Sequence, residues 1–201
     1  DIFHYVYGIL HSPQYRERFE ADLKKMLPRI PLAATSDDFL AFAAAGQQLM
    51  DLHINYETVE PYPLEELVTP AAGLDEYALF AVTDKKMKYA PNTDKSTLIY
   101  NPHVTLRGIP DEAHAYQLGS RSALGWIIDR YYIKTDKESG IVNDPNAWSR
   151  GQGDPRCIVD LIKRVVRVSV ETVRIVDALP GLTWGNTLDT DKVSSVIRRE
   201  V

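Results

Sequence analysis

The sequence predicts an α+β fold: helices packed around a small, mostly antiparallel sheet, with a long C-terminal helix. Three observations predict it. Apolar residues recur at helical spacing near both ends, as in Tyr15, Phe19, Leu23 and Leu27 and again from Ile158 to Val176. Between them, Asp84 to Pro110 alternates polar and apolar residues in short runs separated by Pro, Asn, Asp and Gly, the pattern of a three-stranded antiparallel meander. Finally, 201 residues with 44% apolar and 25% charged content suffice for one sizeable core.

In chain order, the apolar run Ile2–Leu10 is a buried helix or strand. Ser12-Pro13 is an N-cap with proline at the first helical position, and the helix it opens runs to Leu27, where Pro28-Arg29-Ile30-Pro31 stops it. A second helix follows Ser36, with Asp37 and Asp38 in its first turn and Phe39, Phe42, Ala43, Gly46, Leu49, Met50 and His53 as its inner stripe. His53 there is expected to be a hydrogen-bonded core or boundary residue. Proline and acid dominate Glu57 to Glu76, as in an exposed connection, and Tyr77–Val82 is expected to be a buried strand. After the meander, Pro110-Asp111-Glu112 starts a short helix. Ser120 or Ser122 caps the next, whose apolar set is Leu124, Trp126, Ile127, Ile128 and Tyr131. Lys134 to Asn146 is a long polar loop, continued by Trp148–Gly153. Pro155 opens the last helix, Pro180-Gly181 ends it, and the tail beyond Trp184 is expected to dock or fray. The expected organisation is a single domain over 1–201, with a helical part (1–60), a basic sheet-containing part (77–137) and the long helix (155–178). It is expected to be a fragment of a larger polypeptide, since it opens without methionine directly into an apolar run.

Charge narrows the function. The net charge is −5, unlike a protein that coats DNA by neutralising phosphates. Its distribution is uneven. Residues 1–84 carry five Lys and Arg against fourteen Asp and Glu, residues 85–137 nine against five, and residues 138–201 nine against nine. A basic central third in an acidic chain suits phosphate contact on one face. No apolar run reaches the roughly 20 residues of a membrane span, and a single cysteine, Cys157, fits a cytoplasmic setting.

Several motifs point to chemistry and fail on context. Asp111-Glu112-Ala113-His114 spells a helicase magnesium box but lacks any glycine-rich phosphate loop upstream. Asn101-Pro102-His103 and Asn143-Asp144-Pro145-Asn146 lack the second proline and the aromatic of an adenine-methyltransferase loop. The five histidines have no metal-ligand spacing. Asp84-x-Lys86 would suit a magnesium nuclease only with a second acid brought beside it. No catalytic residue and no metal ligand is therefore expected. Aromatic and basic residues interleave at Lys86-Met87-Lys88-Tyr89 and at Arg130-Tyr131-Tyr132-Ile133-Lys134, a mixture suited to phosphate contact and stacking, or equally to a sheet edge guarded by lysine.

A series of phrases also carries a resemblance. Ile2-Phe3-His4-Tyr5-Val6-Tyr7-Gly8-Ile9-Leu10-His11-Ser12-Pro13, Leu27-Pro28-Arg29-Ile30-Pro31, Leu52-His53-x-Asn55-Tyr56-Glu57 and Lys86-Met87-Lys88-Tyr89 come first. Ser122-Ala123-Leu124-x-Trp126-Ile127-x-Asp129-Arg130-Tyr131 and Lys134-Thr135-Asp136-Lys137-x-Ser139-Gly140-Ile141-Val142-Asn143-Asp144-Pro145 follow. In order and number they resemble the C-terminal specificity domain of type ISP restriction-modification enzymes. The resemblance implies a non-catalytic target-recognition domain that binds double-stranded DNA, attached to an upstream methyltransferase domain. It implies no cofactor in this fragment, with S-adenosylmethionine, ATP and magnesium used elsewhere in the parent. Charge and position, not family knowledge, select the expected DNA-contacting residues: Lys85, Lys86, Lys88, Tyr89, Lys95, Asn101, His103, Arg107, Arg121, Lys134, Lys137 and Asn143. The alternative is a protein–protein docking module of a helicase-like or methyltransferase assembly.

Overall fold

The computed structural model describes residues 1–70, 72–91 and 94–182. The predicted α+β class holds: helices, small antiparallel sheets and a long final helix make up the chain. It divides into two compact units, Asp1–Ile54 with the segment that begins at Arg174, and Asn55–Val173.

The first unit is helical. Its elements are α1 (Ile2–His11), α2 (Pro13–Leu23) and α3 (Ser36–Ile54). Ser12 caps α2 as expected, its hydroxyl accepting from the Tyr15 amide at 3.5 Å. The helix is shorter than the spacing suggests: it kinks at Phe19 and ends at Leu23, leaving Leu27 exposed. Pro28 excludes its predecessor from helical geometry, so the apolar period outruns the helix. Thr35 caps α3, its Oγ1 accepting from the Asp38 amide at 3.1 Å. α1 and α3 pack at Gly8 and Gly46. A β-carbon on Gly46 would overlap the His4 carbonyl, and one on Gly8 would overlap that of Phe42, so the two backbones meet directly. Tyr5, Ile9, Tyr15, Phe42 and Ala43 form the core. His53 behaves as expected of a boundary residue, its Nδ1 lying 2.8 Å from the Tyr7 hydroxyl.

The second unit holds β1 (Glu65–Val68), α4 (Glu76–Leu79), β2 (Lys88–Tyr89), β3 (Thr97–Ile99) and β4 (Val104–Arg107). These are followed by α5 (Glu112–Ala115), β5 (Gln117–Leu118), β6 (Arg121–Ser122), α6 (Ala123–Arg130), β7 (Lys134–Thr135), β8 (Val142–Asn143), α7 (Asn146–Gln152) and most of α8 (Cys157–Asp177). The predicted meander is β2-β3-β4, antiparallel, with Lys88 opposite Ile99 and Leu98 opposite Leu106. Leu98, Val104 and Leu106 turn into a core shared with Leu124, Ile158, Ile162 and Val166. Ser122, one of the two expected caps, receives the Gly125 amide at 3.0 Å.

Three expectations are corrected. The connection read through Glu57–Glu76 contains β1, which pairs with β4 and makes the sheet four-stranded, in the order β1-β4-β3-β2. Glu66 in β1 accepts from Arg156 and from Lys163, each at 2.7 Å, so its acidity is matched rather than solvated. Burial opposes its charge, but these hydrogen bonds together outweigh it and hold the carboxyl below its ordinary range. Tyr77–Val82 is not a strand. Asp75 caps a single helical turn, its carboxylate accepting from the Ala78 amide at 2.8 Å, before Phe80 and Val82 enter the core. Trp148–Gln152 belongs to a helix, α7, not to a loop, and Gly153 caps its end in the left-handed region. Asn146 anchors its start by bonding the Val82 amide and carbonyl at 2.8 and 2.9 Å. The tail beyond Trp184 lies outside the described residues. Among the described residues, no helix is long and apolar enough to cross a membrane.

Candidate nucleic-acid interface

The expected DNA-contacting residues fall into three settings. The first centres on Asp129 in α6. Lys86 reaches its carboxylate at 2.6 Å, Arg121 at 3.4 Å and Arg130 at 3.7 Å. The Lys86 hydrogen bond and the neighbouring guanidinium groups hold the Asp129 carboxyl below its usual range. One carboxylate among three cations leaves a positive surplus. Aromatic rings are built into it: Arg121 and Arg130 lie 5.6 and 5.5 Å from the Trp126 ring, and Lys86 lies 5.1 Å from Tyr132. Trp126 is itself fixed, its indole N–H donating to the Leu118 carbonyl at 2.8 Å.

The same neighbourhood carries the β7–β8 hairpin. The Ile133 amide donates to the Thr83 carbonyl at 2.8 Å, which ties the root of the hairpin to the loop bearing Lys85 and Lys86. Lys134 pairs with Asn143 across the hairpin, and Lys137 stands near its tip; all three are exposed. Lys85, Lys86, Arg121, Lys134, Lys137 and Asn143 are thus linked through α6 and the chain that leaves it.

The second setting is the open face of the four-stranded sheet. Lys88 and Arg107 alternate outward with Ile99, Thr97 and Thr105, while Tyr89, Leu98 and Leu106 alternate inward. Glu65 stands directly opposite Arg107 and offsets its charge. Lys95 is exposed near the β2–β3 turn. The cations of the Asp84–Pro110 stretch therefore do not line one ribbon. Lys85 and Lys86 sit in the loop before β2 beside α6, and only Lys88 and Arg107 share the sheet face.

The third setting is structural. Asn101 is 7% exposed, and its amide donates to the carbonyls of Leu79 and Ala81, both at 2.9 Å. Its side-chain oxygen accepts from the His103 and Val104 amides at 2.8 and 2.7 Å. Its side chain braces the backbone around it. Tyr89 packs against the core and edge-on to His114, 5.4 Å between rings, and burial pushes its hydroxyl up to about 12. His114 also bridges to the Lys95 carbonyl at 3.1 Å, so the helicase-like letters at Asp111–His114 spell a helical turn that braces the sheet. His103 is half-buried beside the brace.

The expected contact residues did not include Trp126, Asp129, Arg130 or Tyr132, although Arg130 and Tyr132 lie in the interleaved run noted above. Their signal was present: Trp126 and Arg130 are four apart on one helix, and Arg130–Lys134 is an interleaved aromatic and basic run. Among the described residues, no group of three or more His, Cys, Asp and Glu is placed to hold a metal ion.

Residues 1–161 match the family described as the Type ISP C-terminal specificity domain. The chain belongs to that family. No curated protein matches it. Among solved structures, the specificity domain is similar to a nuclease-deletion mutant of the Type ISP restriction-modification enzyme LlaGI in complex with a DNA substrate mimic. The identity is 39% over 92% of this chain and 16% of that one, with a TM-score of 0.78. It is similar to the ATP-dependent Type ISP restriction-modification enzyme LlaBIII bound to DNA, at 35% identity over 92% of this chain and 11% of that one, TM-score 0.79. A DrdV–DNA complex matches at 39% identity over 90% of this chain and 18% of that one, TM-score 0.72. The specificity domain therefore spans less than a fifth of the length of these relatives.

Proposed function

We propose that this chain reads a double-stranded DNA target for a type ISP restriction-modification polypeptide and performs no chemistry itself. The observation that carries the proposal is the likeness, over nine-tenths of the chain, to enzymes solved on DNA. The geometry agrees with it. The cation–aromatic cluster around Asp129 combines phosphate-binding charge with ring faces, and the adjacent hairpin is a two-stranded ribbon of a width the major groove admits. Adenine methylation with S-adenosylmethionine, ATP-driven translocation and magnesium-dependent cleavage belong, on this reading, to other parts of the polypeptide. On this reading an upstream methyltransferase domain is the partner within that chain, and the setting is cytoplasmic.

The test is DNA affinity as a function of salt for the full-length protein and for Arg121→Ala, Arg130→Ala and Lys134→Ala. Each cation that meets a phosphate contributes about 0.9 to the salt slope, so each substitution should flatten it by about 1 and weaken binding across sequences. Unchanged affinity and slope, together with failed assembly of the polypeptide, would establish the docking-module reading. The exposed Ile2, Phe3, Leu27 and Leu32 of the helical unit favour a docking role for that unit alongside DNA reading.

A further inference from the structure

The β7–β8 hairpin carries an apolar residue that the fold does not use. Ile141 is 67% exposed and belongs to neither hydrophobic core. A single exposed isoleucine needs no explanation by itself. This one is held on an ordered tip. The Asp136 carboxylate accepts from the Glu138 and Ser139 amides and the Ser139 hydroxyl, at 3.1, 2.8 and 2.8 Å. The Asp136 amide donates to the Ile141 carbonyl at 2.8 Å, and Gly140 takes the positive φ of 71° that the turn requires. Strand alternation then sets Ile141 on the same face as Asn143 and its cross-strand partner Lys134, while Val142 and Thr135 take the other. The face thus combines an apolar branched group, an amide able to pair with a base edge and a cation able to reach phosphate. The Asp129 cluster stands at its root.

We propose that Ile141 is a specificity residue that packs against the 5-methyl group of a thymine in the major groove, beside a base edge met by Asn143. The proposal rests on the DNA-reading role above. Thymine is the base that offers an apolar group in that groove, and an aliphatic side chain is its fitting partner. The preformed tip limits the ordering cost of insertion.

The experiment uses full-length protein. A site is selected from a pool of random duplexes, and each thymine in it is then replaced by uracil, which lacks only the methyl group. One thymine-to-uracil change should weaken wild-type binding about three- to fivefold, the worth of one buried methyl. Ile141→Ser should bind the thymine and uracil duplexes equally, with an unchanged melting temperature and salt slope. A selected site without thymine, a wild type indifferent to every uracil, or an Ile141→Ser protein that keeps the uracil penalty overturns the proposal while DNA reading stands. A wild type that selects no site overturns both.

Discussion

Asn101 satisfies four backbone groups with one buried side chain, two as donor and two as acceptor. Asn101→Ala would leave those half-buried groups without their partner. Each unpaired buried group costs about 1–3 kcal/mol, so after partial relaxation the variant should lose about 2–4 kcal/mol by urea denaturation. A loss below about 0.5 kcal/mol would show that the brace is dispensable. Asp129 makes the opposite kind of prediction. Its carboxylate occupies Lys86, Arg121 and Arg130, so Asp129→Asn frees three cations. Non-specific DNA affinity should rise and the salt slope steepen, and a fall in affinity would mean that Asp129 orders the cluster for binding. These two residues also mark what local sequence conceals. Asn101 looks like a loop tip because Asn-Pro is a turn signal, and its carbonyl partners lie 22 and 20 positions upstream.

At the scale of elements, the α1–α3 contact depends on two missing β-carbons. Gly46→Ala gains helix propensity, yet its β-carbon would meet the His4 carbonyl and force α1 and α3 apart. The net effect should be destabilisation of the helical unit, read as lost amide protection in α1 and α3. The same helix pair encloses His11 and His53, whose rings lie 5.4 Å apart. Burial first, and the nearby His11 second, push His53 down to about 4, while burial also lowers His11. The folded state therefore binds fewer protons than the unfolded chain between about pH 6.5 and pH 4. Stability is intact above that window and falls as the pH drops through it. His53→Asn cannot titrate and should flatten this part of the thermal-melt pH profile; an unchanged profile would remove His53 as the cause. Elements with strong periods were the legible ones. α8 declares itself by a long apolar stripe, and the meander by alternation between turn residues. β1 does not, because it is set by pairing with the distant β4, and the Glu66 carboxylate is met by Arg156 and Lys163, ninety or more residues away. The short apolar run at Tyr77–Val82 suits a strand or a helical turn equally, and the Asp75 cap decides it.

For the molecule as a whole, the net charge of −5 and the positive cluster around Asp129 act at different ranges. At low salt the overall charge repels DNA, and within a screening length the local surplus attracts it. The charge count by thirds made a basic region legible, but it could not say which cations would share a surface. That depended on α6 presenting Asp129 to Arg121 in β6 and to Lys86 in the loop before β2, a tertiary fact. The family resemblance covered what charge could not, since order and number of phrases survive where single contacts do not.

The Asn101 brace has a chemical consequence as well. Asparagine ages when the following backbone nitrogen attacks its side-chain amide, closing a five-membered imide that reopens as aspartate or isoaspartate. At this position the following residue is Pro102, whose nitrogen bears no hydrogen to lose. The residue that ties the end of α4 to the start of β4 is therefore shielded from the slow covalent damage that would replace its amide with a carboxylate, and old preparations should keep an intact Asn101 by peptide mass mapping.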